Sequence, residues 1–474
     1  MRLEVSVDSI IDEIAAGRRE LFKTTGLVAL IAFAIGIIGA LVLAAVIVSP
    51  IKKLVAHVGQ IRDTENKADL KVMDIPAKRS DEIGVLGSTI NEMTHGLVKA
   101  ALASQDLTIG KEVQKMFIPL ETDSMGNKLT SGYTDTPGAE FFGYYEGAKG
   151  VSGDYFDYLD LGNDYFAVIK CDVAGKGVPA ALIMIEVATL FLNFFKNWTP
   201  TKENLRIERV VYQINDFIET RGFKGRFAAF TLCLFNSKTG DARFCNAGDN
   251  IVHWFDASER CMKLTTLPET PTAGVFPNDL IDMKGGYTVQ TIKMDKGDML
   301  LLYTDGIEEA QSRFRDSNFK EIVCSHENAP VDTVHGNHSV GQAAEELGYQ
   351  RVEAILNAVL NRRPYKLEKY HVPNPDQKME FDFTNCAGSV RDAIMALVSV
   401  EKVFRMYIDP SAGEDSRVMV DKYVDAFLEK HFNQYRAYGA HPKENLQHPE
   451  YMYYTYMKED EQYDDLTILG ICKK

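Results

Sequence analysis

The chain has 474 residues, 45% of them hydrophobic and 25% charged, with a net charge of −15 at neutral pH. That is enough apolar material for two to four packed units, and the acidic balance argues against general nucleic-acid binding. Seven cysteines lie scattered with no CxxC pair, a pattern that fits a reducing compartment better than a disulfide framework or a zinc site.

Residues 1–25 hold a short amphipathic piece (Val7, Ile10, Ile11, Ile14), too small for a sensory domain. It reads as the last helix of an extracytoplasmic region. Residues 26–48 follow as 23 uncharged residues, GLVALIAFAIGIIGALVLAAVIV. At ~1.5 Å per residue they make roughly 35 Å of helix, enough to cross a bilayer once. Arg18, Arg19 and Lys23 on one side balance Lys52, Lys53 and Arg62 on the other, so flanking charge leaves the orientation open.

Ser49-Pro50 is expected to end the span and start a new helix, with apolar residues at Ile51, Leu54, Val55, Val58 and Ile61. A polar connector leads to Asp81-Glu82-Ile83-Gly84. Beyond it Ile83, Leu86, Ile90, Met93 and Leu97 step by three and four, an a/d seam. A helix, connector and helix directly after a span, with proline at the first helix and DExG at the second, resemble a HAMP signalling module over residues 49–98. The resemblance implies a parallel four-helix bundle built from two chains, hence a homodimer with a cytoplasmic C-terminal side. Residues 99–120 continue as a signalling helix that Pro119 stops.

From about Phe141 the chain breaks into short β-like runs between Gly, Asp and Asn. Four acidic motifs stand out: Val151-Ser152-Gly153-Asp154, Cys171-Asp172-Val173 before the turn Ala174-Gly175-Lys176-Gly177, Tyr303-Thr304-Asp305-Gly306, and Asp464-Asp465-Leu466. One strand ending in Asp-Gly is usually a plain turn. Several such aspartates gathered in one cleft would repel each other, and all-oxygen ligation of a divalent cation relieves that repulsion, favouring Mg²⁺ or Mn²⁺ over zinc.

These motifs in this order, with Asn246-Ala247-Gly248, Gly297-Asp298 and Pro179-Ala180-Ala181, resemble the SpoIIE-type branch of the metal-dependent (PPM) serine/threonine phosphatases over residues 130–474. The resemblance implies an α+β fold, an αββα sandwich of two antiparallel sheets flanked by helices, behind the span and the HAMP module. It also implies two divalent cations, Mn²⁺ or Mg²⁺. Asp172 would bridge them, the Val173 carbonyl would help hold one of them, Asp305 and Asp464 would hold one, and Asp154 would complete the other. Asp465 is either a ligand or a partner of one, and Asp157 is assigned a structural role. The implied chemistry is in-line attack on phosphorus by a hydroxide that two cations generate. The implied substrate is phosphoserine or phosphothreonine on a regulatory protein, such as an anti-sigma-factor antagonist. Lys149 and Lys176 are candidates to touch phosphate, although a solvated lysine is the simpler account of each.

Two departures stand out. Asp249 follows Asn246-Ala247-Gly248 where the family usually has histidine, and Asp305 and Asp464 are separated by an insertion at about 315–455. The expectation is a single-pass protein of the cell membrane with its phosphatase domain in the cytoplasm. The alternative is a non-catalytic platform that uses the same fold for binding.

Overall fold

The computed structural model describes residues 7–474 apart from 65–66, 71–73, 76–79, 149, 224, 317, 324–330, 333–335, 338–340, 368, 370–378, 410, 414–416, 437–441, 446–447 and 463. The chain divides into two units, Met1–Asp106 and Leu107–Lys474.

In the first unit α1 (Val7–Leu43), a π-helical turn (Ala44–Val48) and α2 (Ser49–Asp63) form one uninterrupted helix. The sequence reading placed a helix end at Ser49-Pro50, and the structure corrects it. Pro50 cannot donate to the carbonyl four residues back and its ring crowds that carbonyl. The wider turn absorbs the defect: the Ser49 N–H donates to the Ala44 carbonyl, five residues back. Every residue from Ala16 to Ser49 is exposed, and the helix is long and apolar enough to cross a membrane.

Past the connector, Asp81 Oδ1 accepts the Gly84 N–H at 3.0 Å and caps α3 (Glu82–Lys115). This is the local reason for the DExG pattern. Leu54 and Ile61 of α2 bury against Ile90 and Val98 of α3, together with Leu70. Of the a/d seam, Ile90 is buried, whereas Leu86, Met93 and Leu97 remain exposed.

The second unit is a sandwich. The strands in chain order are β1 (Ser131–Asp135), β2 (Ala139–Glu146), β3 (Tyr155–Gly162), β4 (Tyr165–Val173), β5 (Ala228–Asn236), β6 (Asp241–Ala247), β7 (Ile251–Asp256), β8 (Cys261–Thr266), β9 (Gln290–Lys293) and β10 (Met299–Tyr303). The last long strand, Leu466–Lys473, is β11. One sheet runs β1-β2-β11-β10-β7-β8 and the other β3-β4-β5-β6-β9. All pairings in both are antiparallel. The period-2 alternation of β10 divides its side chains between two cores: Leu300 and Leu302 face the other sheet, and Leu301 and Tyr303 face outward.

Helices α4 (Val178–Phe195) and α5 (Glu208–Arg221) cover the second sheet. Helix α4 is itself apolar and long enough to span a bilayer, but it buries Ala180, Met184, Val187 and Phe191 in this core. The first sheet is covered by α7 (Gly348–Leu360) and α8 (Val390–Arg405), with α6 being the short helix Asn278–Met283. Phe142, Leu301 and Ile468 pack beneath Ile355, Ile394 and Leu397. The observed fold is therefore the expected αββα sandwich. The stretch 315–455 supplies its second helical layer, and the remainder of that stretch includes α9 (Lys422–His431) and a three-stranded sheet built from residues 417–455.

Candidate metal centre

Antiparallel pairing explains why distant aspartates meet. In the second sheet Tyr155 of β3 lies opposite Cys171 of β4, so Asp154 and Asp172 share one end of that strand pair. In the first sheet Tyr303 of β10 pairs with Ile468 of β11, and the Thr304 N–H donates to the Thr467 carbonyl at 3.0 Å. That places Asp305 beside Asp464 and Asp465. Thr304 then joins the two sheets, its Oγ1 donating to Asp154 Oδ2 at 2.6 Å.

The carboxylates crowd. Asp305, Glu309 and Asp464 each offer an oxygen within 4.8 Å of the others. Burial, followed by the charges of Asp305 and Asp464, pushes the Asp172 carboxyl up to about 7. Burial and then Asp172 and Asp465 raise Asp154 well above the usual carboxylate range. Asp305 is raised by burial and Asp464, and Glu309 by burial and Asp305. Asp465 is raised by burial, against hydrogen bonds from Ser152 and from the Ala148 N–H at 2.8 Å. This all-oxygen, mutually repelling donor set fits hard divalent cations: a cation of charge two offsets the repulsion that otherwise holds protons on the cluster.

Glycine lets the backbones come this close. A Cβ on Gly306 would lie 1.9 Å from the Asp465 carbonyl oxygen, a contact only glycine avoids. On the other side of the site the Gly175 backbone has φ +94°, and a Cβ there would meet the Arg226 guanidinium, which donates to the Ala174 carbonyl at 2.8 Å. The turn after Asp172 is thus braced from β5's approach loop.

Asp154, Asp172, Asp305, Asp464 and Asp465 come together at one end of the sandwich, and Val173, the last residue of β4, adjoins them. Its N–H is 3.3 Å from the Gly153 carbonyl. Asp157 sits apart from the cluster. It is buried and accepts Tyr155 Oη at 2.8 Å and the Tyr158 N–H at 2.7 Å, and burial raises it to about 6. Lys176 pairs with Asp464 at 2.9 Å, while Lys149 lies outside the described residues. Asp249 accepts Thr231 Oγ1 at 2.6 Å and pairs with Lys170 at 2.6 Å. Sequence reasoning missed Glu309, although its place four residues after Asp305 on one helical turn, with the Glu309 N–H donating to the Asp305 carbonyl at 2.9 Å, was the available signal. It also missed Lys170 and Thr304, which no local pattern marks.

The family model of Stage II sporulation protein E (SpoIIE) matches residues 162–348, and the HAMP domain model matches residues 42–99. The chain therefore carries a SpoIIE-type PPM phosphatase domain preceded by a HAMP domain. Asp172 and Asp305 fall inside the SpoIIE match. Protein IcfG of Synechocystis sp. is 28% identical over 262 residues, covering 49% of this chain and 38% of that protein. The chain thus spans well under half the length of this relative. Among solved structures, the SiaA-PP2C domain of Pseudomonas aeruginosa aligns with TM-score 0.39 and 13% identity, over 79% of this chain and 98% of that one. The PP2C phosphatase domain of SpoIIE from Bacillus subtilis aligns with TM-score 0.36 and 12% identity, over 73% and 65%.

Proposed function

We propose that the chain is a membrane-anchored, dimeric protein phosphatase that removes phosphate from serine or threonine of a regulatory protein on the cytoplasmic side. The observation that carries this reading is the meeting of Asp154 and Asp172 from one sheet with Asp305, Glu309, Asp464 and Asp465 from the other at a single sandwich end. Two divalent cations, Mn²⁺ or Mg²⁺, would be held there. Asp172 would contribute to holding both, Asp305, Glu309 and Asp464 would serve one, and Asp154 with the Val173 carbonyl would serve the other. Bound divalent cations supply Lewis acidity that lets water act as a nucleophile near neutral pH and offsets phosphoryl charge.

The chain's own residues do the rest. Thr304 and Ser152 orient carboxylate oxygens by hydrogen bonds, and the two close-packed glycine turns hold the strand ends in register. Lys176, on the exposed rim beside Asp464, is the cation best placed to meet a phosphoryl oxygen once Asp464 is engaged elsewhere. An anti-sigma-factor antagonist is the substrate class to try first, on the strength of the SpoIIE resemblance.

Dimerisation is supported by the unburied half of the α3 seam, since Leu86, Met93 and Leu97 are apolar, regularly spaced and exposed. The experiment for the enzymatic reading is phosphate release from a phosphoserine protein with added Mn²⁺. Asp172→Asn and Asp305→Asn are each expected to abolish it, and full activity in both would sink the reading. A calorimetric Mn²⁺ titration run alongside reports the metal centre independently of substrate choice.

A further inference from the structure

Lys170 lies on β4 two residues before Asp172, so one pleat separates them and both side chains leave the same face of the strand. Its ammonium is buried, with its side chain 9% exposed. It reaches across the sandwich and donates at 3.0 Å to the carbonyl of Tyr303, two residues before Asp305 on the other sheet. A buried lysine is costly without a counter-charge. Here that charge is Asp249, 2.6 Å away with its side chain 15% exposed. Asp249 is in turn fixed by Thr231, which sits opposite Lys170 on β5 and shares its one hydroxyl proton between the Asp249 carboxylate at 2.6 Å and the Asp249 carbonyl at 2.8 Å.

We propose that Lys170 is a positioning residue of the metal centre: held by Asp249 and Thr231, its ammonium pins the β4 end that carries Asp172 to the β10 end that carries Asp305. The spacing of two ligands drawn from separate sheets is otherwise set by the sheets' packing and by the Thr304–Asp154 hydrogen bond. The strut adds a charged link one pleat behind both ligands. It also accounts for the aspartate at 249: a histidine there would set a ring without a carboxylate's charge against a buried ammonium. Asp249 and Lys170 therefore function as one unit, and neither residue needs to touch substrate or cation. The proposal rests on the metal-dependent reading above.

The test is Mn²⁺ titration by calorimetry on the full-length chain in detergent, with Lys170→Met, Asp249→Asn, Asp249→His and the double variant Lys170→Met/Asp249→Leu. Metal-free melting curves serve as the fold control. Each single variant is expected to weaken Mn²⁺ binding about 10- to 100-fold, the range for residues that orient metal ligands. The double variant should lose no more than the worse single, because the two residues act together. In kinetics the Mn²⁺ concentration giving half-maximal rate should rise more than the saturated rate falls.

Unchanged Mn²⁺ affinity, with only the metal-free melting temperature lowered, would show an ordinary structural ion pair and overturn the proposal. Tighter binding in Lys170→Met with weaker binding in Asp249→Asn would show a simple charge effect and also overturn it. Both outcomes leave the phosphatase reading standing. Failure of the wild type to bind Mn²⁺ removes that reading and the proposal together.

Discussion

The Gln114 carboxamide grips the backbone of Ser152 from both directions, its Oε1 accepting the Ser152 N–H at 3.0 Å and its Nε2 donating to the Ser152 carbonyl. Gln114 is on the last turn of α3, and it is 1% exposed. The Ser152 hydroxyl accepts the Asp154 N–H at 2.9 Å and hydrogen-bonds Asp465. The end of the long helix is thus one residue removed from two carboxylates of the cluster. Gln114→Ala strands the Ser152 N–H and carbonyl in a buried place, at about 1–3 kcal/mol for an unsatisfied group. Phosphate release is expected to fall on the order of 10- to 100-fold with a raised Mn²⁺ requirement. Steady-state rates across an Mn²⁺ series check this, and an unaltered Mn²⁺ dependence contradicts it.

Glu309 extends the cluster beyond the aspartates. Its carboxylate reaches within 4.8 Å of Asp305 and Asp464 oxygens and is raised by burial and by Asp305. Glu309→Gln keeps the shape and removes one negative charge. Mn²⁺ affinity should drop by about one order of magnitude or more, measured by calorimetry. Because the side chain is half-buried and outside both hydrophobic cores, the metal-free melting temperature should hold or rise slightly as repulsion is relieved.

What the sequence revealed follows from what is local. Asp154, Asp172, Asp305 and Asp464 are each next to a strand end, with glycine close by in the first three, and that pattern needs no tertiary knowledge. The apolar composition of α4 and the proline beside the N-terminal apolar run were equally visible. Their outcomes were less so, because a π turn absorbs Pro50 within a continuous helix. The covering role of α7 and α8 could not be read from their place between two site residues: which sheet face a helix covers is decided by packing, here Ile394 and Leu397 over Leu301 and Ile468. The Lys170–Asp249 pair joins β4 to the turn between β6 and β7, far apart in the chain, and Asp249 showed only as an unexplained departure from the family pattern.

Asp421 gives a pH signature away from the cluster. It is 3% exposed, caps α9 through the Tyr423 N–H at 2.8 Å and accepts Thr130 Oγ1 at 2.7 Å. Burial, and then the Glu146 charge, push it up to about 7. The folded value lies above the unfolded ~3.9, so its stabilising contribution is complete below about pH 4 and is lost as pH rises through about 7. Asp421→Asn is neutral throughout and still offers a capping oxygen. Metal-free melts should place the variant level with wild type at pH 4 and above it at pH 8, by on the order of a few kcal/mol. An equal difference at both pH values contradicts the assignment.

Arg315 and Asp460 form a buried two-pronged pair, with Nη1 to Oδ2 at 3.0 Å and side chains 5% and 4% exposed. The Asp460 carboxylate also accepts the Arg313 N–H at 2.9 Å, and its carbonyl accepts Arg405 Nη1 at 3.0 Å. Tyr407 stacks on the guanidinium, 3.8 Å from ring centroid to Cζ. Asp460 stands four residues before Asp464, so this clamp holds the strand approach that delivers Asp464 and Asp465. Arg315→Met leaves a buried carboxylate without its cation and should cost about 3–5 kcal/mol. The double variant Arg315→Met/Asp460→Leu removes the stranded charge and should regain most of that. It should fall short by about 1–3 kcal/mol because the Arg313 N–H loses its acceptor. Urea unfolding of the full-length chain, followed by tryptophan fluorescence, reads both differences. A double variant no better than the single would mean that the segment depends on the shape of these two side chains and not on their charges.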